Sequence, residues 1–262
     1  SLAEYDYANK TILLMKDIDI KEDDDIGTVE TEWKVNSGSV FEGYFNGQGH
    51  KISGFYDNKA GLFNNIGKDG IITKLILDVN VTIPNGGRYS PLANLVGGKI
   101  IYCGVEGSIH ETVPENATNA ASVSGFIHVV DAVTYNTDSL HAPLISDSYT
   151  IVNIDIDNYL EKVSGIYNMF TSVSATANTV GNYLKNIYIG GTYKYATSNS
   201  KKCTYMYWVL TENYYSKETV FANTTFLGDS STWRMSGTSR VNLLTDDQAK
   251  DKSTYTNAGW DF

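Results

Sequence analysis

Three acidic side chains are the first place to look for chemistry in this chain. Asp78, Glu106 and Asp157 take equivalent outward places when the alternating segments that carry them are aligned. Carboxylates stacked at strand spacing, about 4.8 Å, repel one another. Such a column either raises a carboxyl pKa or recruits a cation, calcium being the natural one. Left in water, the same column is a solvated acidic stripe of small energetic consequence. Paired acids could also cleave an acidic polysaccharide, but that chemistry asks for a basic group beside them. Only three arginines exist, Arg88, Arg234 and Arg240, and two of them lie near the C-terminus.

A second set of residues suits binding better than catalysis. Tyr193, Tyr195, Tyr205, Tyr207, Trp208, Tyr214 and Tyr215 crowd one stretch, and aromatic faces stack on sugar rings or anchor protein interfaces. The alternative is an aromatic stack that fills gaps between irregular coils. Asn64, Asn94, His128 and Asn168 form a third set, which reads as a ladder of side chains bonding from one coil to the next. A small-ligand site around His128 is the competing use.

Other motifs carry less. Cys103 and Cys203 have no CxxC or Cys/His spacing for zinc, and Cys103 in the run IIYCGVEGSI reads as a small buried apolar residue, with a disulfide to Cys203 left open. His50, His110, His128 and His141 stand without telling partners, and no Gly-x-Ser-x-Gly elbow exists. The glycine-rich run from Gly43 to Gly54 lacks a phosphate-loop ending, so it reads as tight turns. The loop KEDDDIGT has the Asp23-x-Asp25 spacing of a calcium loop, but Gly27 stands where a third ligand belongs, so a solvated loop is expected.

Composition narrows the partners. Lys and Arg number 20 against 30 Asp and Glu, a net charge of −10 with no basic run, which disfavours nucleic acid and anionic membranes. No apolar run reaches the ~18 residues of a membrane span. The chain opens on Ser1 without a methionine, which suggests a mature or trimmed fragment.

The elements that position these residues follow from a repeat. Gly61–Ile66 aligns with Pro91–Val96, Gly125–Val130 and Gly165–Phe170, with starts 30, 34 and 40 residues apart and a noisier fifth copy at Thr204–Val209. Each block has a small or turn-forming leader, apolar second and last places, and a polar fourth place. A second strand follows: Lys74–Val79 aligns with Tyr102–Gly107, Asn153–Asn158 and Asn186–Gly191. The inward column is then Leu75, Cys103, Ile154 and Ile187, followed by Leu77, Val105, Ile156 and Ile189, all apolar. Stacking like on like is the signature of a solenoid.

We therefore expect an all-β, right-handed parallel β-helix with irregular coils, occupying residues 1–262 as a single domain. Residues 1–40 form an entry segment in which Ile12, Leu14, Ile18 and Ile20 share one parity; 41–233 form stacked coils; 234–262 form a C-terminal cap. That cap holds a short helix, because Thr245 and Gln248 carry a capping-box spacing, and it covers the last coil.

The segment Phe41-Glu42-Gly43-Tyr44-Phe45-Asn46-Gly47-Gln48-Gly49-His50-Lys51-Ile52 is similar to the F-x-G-x-F-D-G-x-G-H-x-I opening of the GLUG-motif family of bacterial surface and secreted proteins. Gly61-Leu62-Phe63, the run Ile101–Gly107 and the ending Leu244–Phe262 resemble further elements of that family. The resemblance covers about 10–108 and the C-terminus and fades between 120 and 233. Asn46 replaces the aspartate of the D-G turn, Pro91 replaces a glycine, and the chain stops where relatives run on. The resemblance implies a bacterial extracellular, cell-surface protein acting in adhesion, in binding host protein, glycan or another environmental polymer, or in display of other domains. It supplies no catalytic residue and no cofactor, so a non-catalytic role is expected, with a polysaccharide-active lyase or glycoside hydrolase as the alternative.

Overall fold

The computed structural model describes residues 7–20, 35–55, 61–84, 88–112, 121–131, 144–156, 160–166, 169–171, 184–195, 203–204, 220–227 and 241–260. The fold is strand-rich, and the described strands form three sheets whose strands pair in parallel. The long sheet has 12 strands, the second has five (Val35–Phe41, Phe63–Ile66, Ala93–Val96, Ile127–Asp131, Met169–Thr171) and the third has four (Arg88–Tyr89, Ala121–Ser124, Leu160–Ser164, Cys203–Thr204). The chain visits third, second and long sheet in that order again and again, and each visit pairs with the one before it.

Alternation places the core. In the strand Ile76–Pro84, Leu77, Val79, Val81 and Ile83 are all buried. Beside them Val105 and Ile109 of Gly104–Thr112 do the same, because parallel pairing sets Val105 against Leu77 and Ile109 against Val81. At the N-terminal end the filling is aromatic: Phe41 meets Tyr7 at 5.7 Å and Phe63 at 5.2 Å between ring centroids, and Phe45 meets Phe63 edge-on at 5.6 Å. Leu14 is buried and Ile12, Ile18 and Ile20 pack against this core, so the parity read in the entry segment holds, on two short strands, Thr11–Leu13 and Ile18–Asp19.

The four blocks of the first repeat pair as the sequence aligns them. Ala93 sits between Phe63 and Ile127, Val96 between Ile66 and Val130, and Val129 beside Met169. The fifth copy is displaced by one residue, since Ser164 pairs with Thr204 and so places Thr204 before the block rather than at its head.

The second strand holds in three copies and fails in one. Gly104 pairs with Ile76 and with Tyr149, and Tyr149 pairs with Tyr188, so Cys103 stands beside Ser148, and Ile154 stands six residues further along. The inward residues at this level are Ser148 and Thr150, both buried, and Ser146 before them is buried as well. Buried hydroxyls are tolerable only when bonded. Here Ser148 Oγ donates to the Ser146 carbonyl at 2.6 Å and accepts the Cys103 N–H at 3.0 Å, and Thr150 donates to the Gly125 carbonyl at 3.0 Å. An apolar match therefore slid the alignment to Ile154 and Ile156, which are also inward but belong further along the same strand, Leu144–Ile156.

Between the two halves of the long sheet the chain turns through a left-handed residue at each passage, and through two, Gln48 and Gly49, at the first. Lys74, Tyr102, Asp147 and Asn186 have φ between 50° and 57°, and Gly49 takes the same place at 84°. Left-handed backbone costs a non-glycine residue about 1–2 kcal/mol. It is tolerated because the ladder continues through it, Lys74 N–H bonding the Ile101 carbonyl at 3.1 Å and Tyr102 N–H the Ser146 carbonyl at 3.1 Å. Asn186 Nδ2 also donates to Asp147 Oδ1 at 2.6 Å along this column.

The C-terminal helices Asp246–Lys250 and Lys252–Thr256 form as the capping spacing predicts: Thr245 accepts from the Gln248 N–H and the Gln248 side chain accepts from the Thr245 N–H. They pack on the outward face of the long sheet. Tyr255 meets Phe221 at 5.5 Å and Tyr188 at 6.1 Å, and Trp260 meets Phe221 at 6.1 Å.

Gly107, at φ 113°, has no room for a side chain, because a Cβ there would collide with the Val79 carbonyl oxygen, whereas a Cβ on Gly49 would meet nothing within 4 Å. Gly49→Ala should therefore cost only the backbone strain, about 1–2 kcal/mol. Gly107→Ala should cost clearly more, about 3 kcal/mol or above. Equal losses in urea denaturation would show that close approach of the coils is not what excludes a side chain at 107.

Candidate functional site

The outward face of the long sheet gathers the polar residues. On Gly104–Thr112, Glu106, Ser108 and His110 point away from the core that Val105 and Ile109 enter. In-register pairing sets Glu106 directly beside Asp78. Two carboxylates at this spacing repel, and a cation of the chain itself answers them. Lys51 Nζ lies 3.5 Å from Asp78 Oδ2 and 3.4 Å from Glu106 Oε2, the three side chains being 36%, 44% and 37% exposed. Burial pulls the Lys51 pKa down, but Glu106 and then Asp78 outweigh it and hold it above the ordinary lysine value.

Tyr149 completes the group from the opposite side. Its hydroxyl donates to Glu106 Oε1 at 2.6 Å. Lys51, Ile76, Gly104 and Tyr149 share one column, and the Tyr149 ring lies across Gly104, where a Cβ would collide with Cζ. Glycine at 104 thus provides the space through which the tyrosine reaches the carboxylate. Burial first, then Glu106, pushes the Tyr149 pKa up. Neither an ammonium that holds its proton more firmly nor a phenol that does the same supplies a base near neutral pH.

The third carboxylate does not extend this column. Glu106 pairs on its other side with Ile151, which is 44% exposed, and Asp157 lies outside the described residues. Among the described residues no group of three or more His, Cys, Asp and Glu side chains is placed to hold a metal ion.

The ladder of the second sheet is assembled in register. Flanking pairs place Asn94 beside Asn64 and His128 beside Asn94, with Asn168 outside the described residues. Asn94 Nδ2 stands 3.5 Å from Asn64 Oδ1, at the limit of a hydrogen bond, and His128 is buried. Of the aromatic set, Tyr193 lies wholly in the core, edge-on to Phe226 at 5.5 Å, and presents no face to a ligand. The side chain of Tyr195 and residues Tyr205, Tyr207, Trp208, Tyr214 and Tyr215 lie outside the described residues.

The glycine-rich opening is structural. Gly43 packs under the Tyr7 carbonyl, and Gly47 under that of Lys74. The Gln48 N–H donates to Asn46 Oδ1 at 2.8 Å, closing the turn. His50 does have a partner: Asp17 Oδ1 lies 3.0 Å from His50 Nδ1 and accepts the Lys51 N–H at 3.0 Å, which ties the entry segment to the first full coil. These two bonds, the backbone one foremost, hold the Asp17 carboxyl below its ordinary pKa. Cys103 is a free buried thiol whose pKa is pushed up by burial to about 12, so it is not a reactive nucleophile.

Sequence reading missed Lys51, Tyr149 and Gly104 as one unit. Lys51 lies 27 and 55 residues from the two acids it bonds, and Tyr149 lies 43 from Glu106, and only the register brings them together with Gly104. No helix among the described residues is long and apolar enough to cross a membrane. No protein-family model matches the chain, and no curated protein matches it.

Lys51→Met should destabilise the fold by about 0.5–1 kcal/mol, the scale of a half-exposed ion pair. Asp78→Asn added to it should recover part of that loss, read in a double-mutant cycle; strict additivity would show that Lys51 does not couple to Asp78. A carboxyl with a lowered folded pKa lends stability above its unfolded pKa and loses it as pH falls through the folded one. The melting-temperature advantage of the parent over Asp17→Asn should therefore be full at neutral pH and shrink below about pH 4. A difference independent of pH would rule out the Asp17 charge as its origin.

Proposed function

We propose that this chain is a non-catalytic module of a bacterial cell surface, a right-handed parallel β-helix that binds a host or environmental polymer or displays other domains. One observation carries the reading: the described side chains best suited to chemistry are occupied in holding one coil to the next. Lys51 bridges Asp78 and Glu106, Tyr149 bonds Glu106, Asp17 takes His50, and Cys103 is sealed in the core. The cyclic passage through three parallel sheets supports a helix of coils, and right-handed connection is the rule for parallel strands. The resemblance of Phe41–Ile52 to the GLUG-motif opening supports the surface location.

The chain is expected to release no reducing or unsaturated ends from neutral and acidic polysaccharides during prolonged incubation. Product that grows with time and with protein concentration would overturn the non-catalytic reading. Antibody to the chain should label intact cells of the source bacterium, and labelling that appears only after permeabilisation would overturn the surface location.

A further inference from the structure

The outward face of the long sheet carries two tyrosines packed against glycines. Tyr188 rests along Gly190, where a Cβ would stand 3.1 Å from its Cε1, and the chain covers this ring with Tyr255, at 6.1 Å and 74°. Tyr149 rests across Gly104 in the neighbouring coil and is only half-buried. Two places along the same strand Ile151 is 44% exposed. Beside it stand Glu106 and Asp78, each more than a third exposed, with oxygens left to accept further hydrogen bonds.

We infer that Tyr149, Ile151, Glu106 and Asp78 form a subsite for a pyranose ring of a neutral polysaccharide. The inference rests on the binding role proposed above and names its ligand class and its place. The half-buried Tyr149 ring, reaching over Gly104 to Glu106, offers aromatic surface to the weakly positive C–H face of a sugar. Ile151 extends that floor, and the carboxylates accept the hydroxyls at the sugar's edge. Gly104 sets the height of the platform, since a side chain there would lift Tyr149 off the sheet and away from Glu106. The charge excludes uronate polymers: two carboxylates against one ammonium leave the patch negative, on a protein of net charge −10. Tyr188, the in-register neighbour of Tyr149, is met edge-on by Tyr255 at 6.1 Å, so the chain's own aromatic residue packs on this face one strand away.

The test is affinity electrophoresis of the whole chain through gels containing amylose, β-glucan, mannan or galactan, with polygalacturonate and hyaluronate as acidic counterparts. At least one neutral polymer should retard the parent protein and neither acidic one should. Tyr149→Ala should weaken that retardation about tenfold, and Tyr149→Phe, which keeps the ring, should stay within about threefold. Ile151→Glu alters an exposed side chain only and should also abolish it, which guards against misfolding of the alanine variant. Retardation by the acidic polymers alone, by none, or equally in parent, Tyr149→Ala and Ile151→Glu would overturn the subsite. Each of those results leaves the non-catalytic module standing, whereas turnover of a polymer would remove the module reading itself.

Discussion

Parallel strands in register put each residue about 4.8 Å from its counterpart in the next coil, and that distance governs the rest of this structure. Every inward place must fill a space shared with the same place on the neighbouring strands, which is why Leu77 and Val105 stack and why Val96 lies between Ile66 and Val130. Every corner must turn where its neighbour turns. The column of Gly49, Lys74, Tyr102, Asp147 and Asn186 shows the strength of this demand, because four residues with side chains accept left-handed backbone to keep the ladder unbroken.

The same distance converts sequence into electrostatics. Asp78 and Glu106 would repel if left alone, and the register that creates the problem also brings Lys51 and Tyr149 to it from either side. Such pairs, open to solvent, add little to stability individually. Their consequence is specificity of register: a slip of one residue on any of four strands would point the charges inward and separate them. Asp17 does the same work at the entry segment, where it takes both the His50 ring and the Lys51 amide.

The part of the fold legible in the residues was the part written in apolar periodicity. The blocks from Gly61, Pro91, Gly125 and Gly165 align because apolar residues recur at fixed places, two of them buried in each of the first three blocks, and the strands pair accordingly. The reading failed where the buried face is polar. Ser148 and Thr150 satisfy their hydroxyls within the core, so nothing in their types announces burial, and the better apolar match at Ile154 drew the alignment, with Asp157, six residues out of place. Tyr193 failed in the opposite sense: an aromatic residue within a tyrosine-rich stretch looks available for a ligand, but strand parity sends it inward against Phe226.

What the sequence determined by itself was local: alternation that makes strands, glycines and asparagines that make turns, the Thr245 and Gln248 spacing that starts a helix, and an acidic balance that disfavours anionic partners. What only the tertiary structure decided was adjacency. That Lys51 answers Asp78 and Glu106, that Gly104 makes room for Tyr149, and that Tyr255 and Trp260 lie on Phe221 all depend on which coil stacks on which and in what register. The physical reason is that register is set by the packing of the whole inward column, a sum over many residues distant in sequence, and no short stretch carries enough of that sum to reveal its outward neighbours.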